Sequence, residues 1–126
     1  MELRDCNPTI LTNLEKVRDA LVSAAKEAKA TIVDISFHQF NPFGISGMVV
    51  IAESHLSIHT WPEYNYAAVD IFTCGDVIKP EVAALSIIER FQCKSPSMVE
   101  MKRGILSHEN VKLPHKVSHP ELQAVS

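Results

Sequence analysis

From His55 to Trp61 the chain alternates strictly: Leu56, Ile58 and Thr60 fall on one face of an extended segment, His55, Ser57, His59 and Trp61 on the other. Side chains of a strand reverse face at every residue, so one face is apolar and the other carries ionisable and aromatic groups. Such a segment suits a sheet that is covered on one side and open on the other. The surrounding run, GMVVIAESHLSIHTWPEYNYAAVDIFTCG from Gly47 to Gly75, extends the pattern. Met48 to Glu53 reads as a strand that meets the next one at Ser54. Pro62-Glu63-Tyr64-Asn65 reads as a turn, with Asn65 able to take positive φ, and Tyr66 to Thr73 as the returning antiparallel strand. Glu53, Ser54, His55, His59, Trp61, Glu63, Asp70 and Cys74 all lie in this region, a set that a core alone does not require.

The flanks supply the cover. Met1 to Cys6 offers a stub of strand with Met1 and Leu3 on one face. Asn7 followed by Pro8 reads as an N-cap and first helical residue, opening a helix to about Ala28 whose stripe is Ile10, Leu14, Val17, Leu21, Ala24 and Ala28. Thr31 to Phe40 is rich in β-branched and aromatic residues and predicts a strand with Val33, Ile35 and Phe37 on one face and Asp34, Ser36, His38 and Phe40 on the other. Asn41-Pro42-Phe43-Gly44 is a turn, and Gly44 and Gly47 around Ser46 suggest backbone that bends or approaches a neighbour closely. Pro80 opens a second helix, ending near Cys93, with Val82, Leu85, Ile88 and Phe91 buried. Ser97 to Arg103 predicts a last strand. The order gives an α+β fold, a two-layer sandwich of a mainly antiparallel sheet with helices on one face. The domain spans residues 1–106, followed by a polar, proline-broken tail over 107–126 that reads as mobile. An uncovered sheet face invites a dimer.

Composition narrows the partners. A chain of 126 residues, 46% hydrophobic, fits one domain. A net charge of −3 from 12 basic and 15 acidic residues argues against nucleic acid or an anionic membrane as partner. The start is polar and the longest clean apolar run, Met48 to Ala52, is far too short to span a bilayer, so a cytoplasmic protein is expected. Cys6, Cys74 and Cys93 form no CxxC pair and read as reduced thiols, Cys6 and Cys93 as small buried hydrophobes.

Three chemistries can be set against the polar face. His55, His59 and Cys74 are zinc-ligand types, but on a strand the two histidines stand ~13 Å apart, too far to share one ion. Ser54, His59 and an acid such as Glu63 or Asp70 have the composition of a hydrolytic triad, without the G-x-S-x-G elbow. Glycine-rich phosphate cradles are absent. Composition and spacing end at a strand face that holds a serine, a histidine and a thiol.

The run GISGMVVIAESHLSIHTWPEYNYAAVDIFTCG closely resembles the bacterial and archaeal form of the S-adenosylmethionine decarboxylase family, pyruvoyl-dependent enzymes of spermidine synthesis. The likeness extends more loosely to Cys6-Asn7-Pro8, to VDISFHQF and to Arg103-Gly104. It implies a proenzyme that cuts itself between Glu53 and Ser54, with Ser54 becoming a pyruvoyl group that forms a Schiff base with the substrate amine. It further implies His59 as processing base, Ser46 as its support, and Cys74 as the acid that returns a proton to the substrate α-carbon. Phe40 and Trp61 would stack on adenine and Glu63 would hold the ribose. No pyridoxal phosphate and no metal are expected, and the resemblance implies a homodimer of cleaved protomers. The family has a longer first strand before the position of Cys6, so a truncated start is expected, and Asn65 stands at a common glycine. A scaffold does not fix its substrate, so arginine or ornithine decarboxylation stays open, as does a non-catalytic partner subunit.

Overall fold

The structure, a computed structural model, describes residues 1–52, 54–74 and 77–105. The expected tail over 107–126 and the Glu53 side of the expected cleavage junction lie outside the described residues. In chain order the elements are β1 (Glu2–Arg4), α1 (Pro8–Leu11), α2 (Leu14–Glu27), β2 (Thr31–Gln39), β3 (Ile45–Ala52), β4 (Ser54–Trp61), a 3-10 turn (Pro62–Tyr64), β5 (Tyr66–Phe72), α3 (Pro80–Arg90) and β6 (Ser95–Ser97). The strands form one six-stranded antiparallel sheet in the order β2-β3-β4-β5-β1-β6. Val17, Leu21, Ala24 and Ala25 of α2, with Ile87 and Phe91 at α3, bury themselves against Ile45, Val49, Ile51, Leu56, Ile58 and Val69 of the sheet. The α+β sandwich read from the alternation is therefore the architecture observed, with the helices on one face. Among the described residues no helix is long and apolar enough to cross a membrane.

Four local departures have identifiable causes. The expected single helix from Asn7 to Ala28 is two helices, because Asn13 caps a second start by accepting from the Lys16 amide at 3.1 Å, as Asn7 accepts from Thr9 at 3.0 Å. In β2 the register slips between Ile32 and Asp34. A bulge of this kind inserts one residue and inverts the alternation before it. Val33 is accordingly 65% exposed, and Ile32 joins Ile35 and Phe37 against the core. In α3 the buried stripe is Ala83, Ala84 and Ile87, continuing to Phe91, while Leu85 is 67% exposed. Small alanines, not the larger Leu85, face the sheet. The last strand is Ser95–Ser97, not Ser97 to Arg103, because β1 offers only Glu2 to Arg4 for pairing. Residues 98–105 then leave the ladder and place the Arg103 guanidinium 4.6 Å from the Phe72 ring centroid.

Both glycines singled out in the sequence have a physical reason. Gly44 has φ +106°, and at Gly47 an added Cβ would stand 1.9 Å from the Phe37 ring. Strand β3 begins at Ile45, earlier than the Met48 expected, so Ser46 and Gly47 are strand residues. Asn65 takes positive φ at 54°, as the turn required. Cys6 is buried and Cys93 half-buried. Burial, with Cys93 beside it, pushes the Cys6 thiol up to about 12, which keeps it protonated.

Candidate active site

The open face of the sheet is built by register. Ser46 on β3 lies opposite His59 on β4, which lies opposite Ala68 on β5; Trp61 lies opposite Tyr66, and His55 opposite Phe72. Directly opposed residues share a face with close Cβ atoms, so a serine and an imidazole paired this way can touch. They do: Ser46 Oγ is 2.7 Å from His59 Nδ1.

The ground beneath this pair is fixed by Thr60, the polar residue buried on the opposite face. Its hydroxyl donates to the Leu11 carbonyl at 3.1 Å and accepts from the Ile45 amide at 3.0 Å, which ties α1 to the start of β3 beside Ser46. The Phe40 amide donates to the Gly44 carbonyl at 2.8 Å and closes the turn between β2 and β3. Positive φ at Gly44 allows that closure. Around these supports lies a cavity of about 250 Å³ lined by Phe40, Phe43, Gly44, Ile45, Ser46, His59, Thr60, Trp61 and Glu63. Five of the residues read from the sequence, Phe40, Ser46, His59, Trp61 and Glu63, therefore share one cavity. Phe40 and Trp61 are 47% and 40% exposed, available for a ligand and not spent on the core. A larger cleft of about 410 Å³ is lined by Asp5, Cys6, Asn7, Pro8, Asn65, Gln92 and Lys94. Three of its polar side chains are already engaged: Asn7 Nδ2 donates to Gln92 at 3.0 Å, and Asp5 accepts from the neighbouring Ser95 at 2.9 Å. It has the volume without the chemistry.

Ser54 and Cys74 lie elsewhere. Ser54 opens β4 opposite Ile51, where the chain doubles back from β3. Its Oγ is buried with no hydrogen-bond partner among the described residues. Cys74 is exposed and follows β5 beyond Phe72, which pairs with His55, so the thiol belongs to the Ser54 end of the sheet. His59 is at the opposite end of β4, five strand residues from Ser54 and so ~17 Å away along the backbone. The same geometry bears on the two simpler chemistries. Asp70 pairs with Ser57, not with Ser54 or His59, and His55 stacks on Phe72 with ring centroids 5.8 Å apart.

Several residues of the face had no signal in the sequence beyond their strand parity. Tyr66 donates to Glu2 Oε2 at 2.5 Å and its ring lies 5.4 Å from that of Trp61. His38 meets Phe40 edge-on at 4.5 Å, and Phe43 joins the cavity wall. The Glu2 and Tyr66 contact joins residues 64 apart in sequence, which no local pattern reveals.

Comparison with known proteins adds an independent line. Residues 1–104 match the family model described as S-adenosylmethionine decarboxylase. An S-adenosylmethionine decarboxylase proenzyme of Thermodesulfovibrio yellowstonii is 70% identical over 125 residues, covering 99% of this chain and 93% of that protein. A proenzyme of the same name from Acidithiobacillus ferrooxidans is 54% identical over 99 residues, 79% of this chain and 74% of its own. The crystal structure of the adenosylmethionine decarboxylase from Aquifex aeolicus superposes with a TM-score of 0.79 at 36% identity, covering 88% of this chain and 92% of that one.

Proposed function

Because the chain belongs to the S-adenosylmethionine decarboxylase family, we propose that its own residues divide a self-cleavage and a decarboxylation between the two ends of β4. The protein is an autoprocessing decarboxylase of S-adenosylmethionine that supplies the aminopropyl donor for spermidine synthesis. The decarboxylase unit is taken as residues 1–106, and no step needs 107–126.

Maturation begins at Ser54. Its Oγ attacks the Glu53 carbonyl carbon, and the Glu53-Ser54 amide becomes an ester as the nitrogen takes the hydroxyl proton. A buried hydroxyl without a partner among the described residues suits this attack, since it has no hydrogen bond there to give up. His59 then removes the α-proton of residue 54. The observation that carries this assignment is the 2.7 Å contact between Ser46 Oγ and His59 Nδ1. With Nδ1–H donating to Ser46, Nε2 keeps its lone pair and can act as base. The ester oxygen leaves with Glu53 as a carboxylate, and the dehydroalanine at position 54 hydrolyses to a pyruvoyl group and ammonia.

The pyruvoyl carbonyl supplies an electron sink for the pair released with CO2. The other roles belong to the chain. Phe40 and Trp61 stack on the adenine, Glu63 accepts from the ribose hydroxyls, and the exposed Cys74 thiol returns a proton to the substrate α-carbon.

The ~17 Å between Ser54 and His59 on one strand rules out direct proton transfer within a single copy. We therefore infer a homodimer in which the Ser54 end of β4 in one copy lies against the His59 end in the other, so that His59 and Ser46 of a second copy serve Ser54 of the first. Co-expression of Ser54→Ala and His59→Ala chains tests this. Neither variant should cut itself alone. In the mixed sample the His59→Ala chain should yield fragments 1–53 and 54–126 by denaturing mass spectrometry, because the Ser54→Ala chain lends it a base. A mixed sample that stays intact would defeat the shared site. A wild-type chain that stays whole on prolonged incubation, with no carbonyl reactive to hydrazine, would defeat self-cleavage itself.

A further inference from the structure

Trp61 presents a difficulty that the cavity alone does not solve. A ring 40% exposed on the open face has no core to hold it, and an unheld ring must be ordered by its ligand, which weakens binding. Among the described residues two aromatic rings meet it. His59 lies 6.3 Å away at 49° and is engaged by Ser46. Tyr66 lies 5.4 Å away at 33°, directly opposite Trp61 across the turn that joins β4 to β5.

Tyr66 is itself held. Its hydroxyl donates to the Glu2 carboxylate on β1 at 2.5 Å. Glu2 pairs with Ala68, two residues along β5 from Tyr66 and on the same face, so the contact is a diagonal cross-strand one. Three strands thus contribute in line: Glu2 on β1 fixes the hydroxyl of Tyr66 on β5, whose ring backs Trp61 on β4. We propose that Tyr66, anchored by Glu2, is a positioning residue that sets the Trp61 ring for the base of the substrate. Tyr66 lies outside the cavity lining and acts through the tryptophan. The proposal rests on Trp61 being a substrate-stacking ring, and the experiment separates failure of one from failure of the other.

Trp61 is the only tryptophan in the chain, so its fluorescence anisotropy reports the mobility of that ring without any substrate present. The variants are made in the full, self-cleaved protein. Tyr66→Leu removes the backing ring and should lower the anisotropy. It should raise KM for S-adenosylmethionine about threefold to tenfold, with kcat and the extent of cleavage within about twofold of wild type. Tyr66→Phe keeps the ring and loses the anchor, so it should fall between the two. If Tyr66→Leu does not fold, Tyr66→Phe and Glu2→Gln carry the same comparison with smaller changes in the same direction. Unchanged anisotropy and KM in the Tyr66 variants, while Trp61→Ala raises KM, would overturn the backing role and leave stacking intact. An unchanged KM in Trp61→Ala overturns both. Loss of cleavage in parallel with kcat in Tyr66→Phe would mark Tyr66 as merely structural and also overturn the proposal.

Discussion

The two ends of β4 are built on opposite principles. At the Trp61 end every polar group named for chemistry has a partner or a cavity: Ser46 touches His59, Thr60 is bonded from two sides, and the rings lean on other rings. At the Ser54 end the hydroxyl is buried and unpartnered among the described residues, and the thiol that follows β5 is exposed. The first end is a preorganised surface that can bind and hold a proton. The second is a group left unsatisfied, which favours its own conversion. On the proposed function, one strand carries a receptor at one end and a reactive centre at the other, ~17 Å apart, and the proposed second copy brings them together.

The largest effect should come from removing the reactive centre. Ser54→Ala should abolish cleavage outright, leaving a single full-length chain by denaturing mass spectrometry, while the cavity at the Trp61 end stays formed. Detectable cutting in Ser54→Ala would mean that the nucleophile lies elsewhere. Cys74→Ala comes next and separates maturation from turnover at the same end. It should still cut, at least in part, yet lose normal turnover or inactivate itself as reprotonation of the substrate α-carbon goes astray. CO2 release at the wild-type rate from cleaved Cys74→Ala would assign that proton to another acid.

The ends also differ in how far the sequence revealed them. Alternation from His55 to Trp61 was enough to place Leu56, Ile58 and Thr60 inside and His59 and Trp61 outside, because parity on a strand is a local property. Parity failed at Val33, where a bulge added a residue, and helical phase failed at Leu85, where alanines set the contact distance. Asn13 was legible in principle as a second cap, but Ile10 and Leu14 fitted a continuous stripe equally well. The cavity itself was legible only through the family likeness of Phe40, Ser46, His59, Trp61 and Glu63. Nothing in composition or spacing fixes which strands become neighbours. The contact of Tyr66 with Glu2 depends on β1 inserting between β5 and β6, an order that is not the order of the chain.

A smaller effect is expected at the receptor end. Phe40→Ala or Trp61→Ala should weaken use of S-adenosylmethionine about fivefold to tenfold, the loss of roughly one stacked ring. Cleavage should change less, since no adenine is present during maturation. The comparison sharpens if CO2 release is followed from S-adenosylmethionine, arginine and ornithine in parallel. Activity on either amino acid with none on S-adenosylmethionine would overturn the nucleoside assignment of this end and leave the reactive centre untouched.

The smallest effect is a titration, and it tests whether the receptor end is anchored as far out as β1. The hydrogen bond to Glu2, with burial and the Glu2 charge adding to it, pushes the Tyr66 phenol up to about 12 from an ordinary value near 10. Each of these favours the protonated form in the folded state. Its contribution to stability is then complete below pH ~10, falls as the unfolded chain ionises first between ~10 and ~12, and is gone once the folded phenol ionises too. Tyr66 is half-buried and its hydrogen bond to Glu2 is open to solvent, so the thermal shift should be slight and ultraviolet absorbance is the better probe. In wild type one of the two tyrosines should ionise late. In Glu2→Gln that late component should move down towards the ordinary range, because the charged acceptor is gone. A late component that persists in Glu2→Gln would show that the carboxylate does not hold the phenol, and the anchor from β1 to the substrate ring would have to be abandoned.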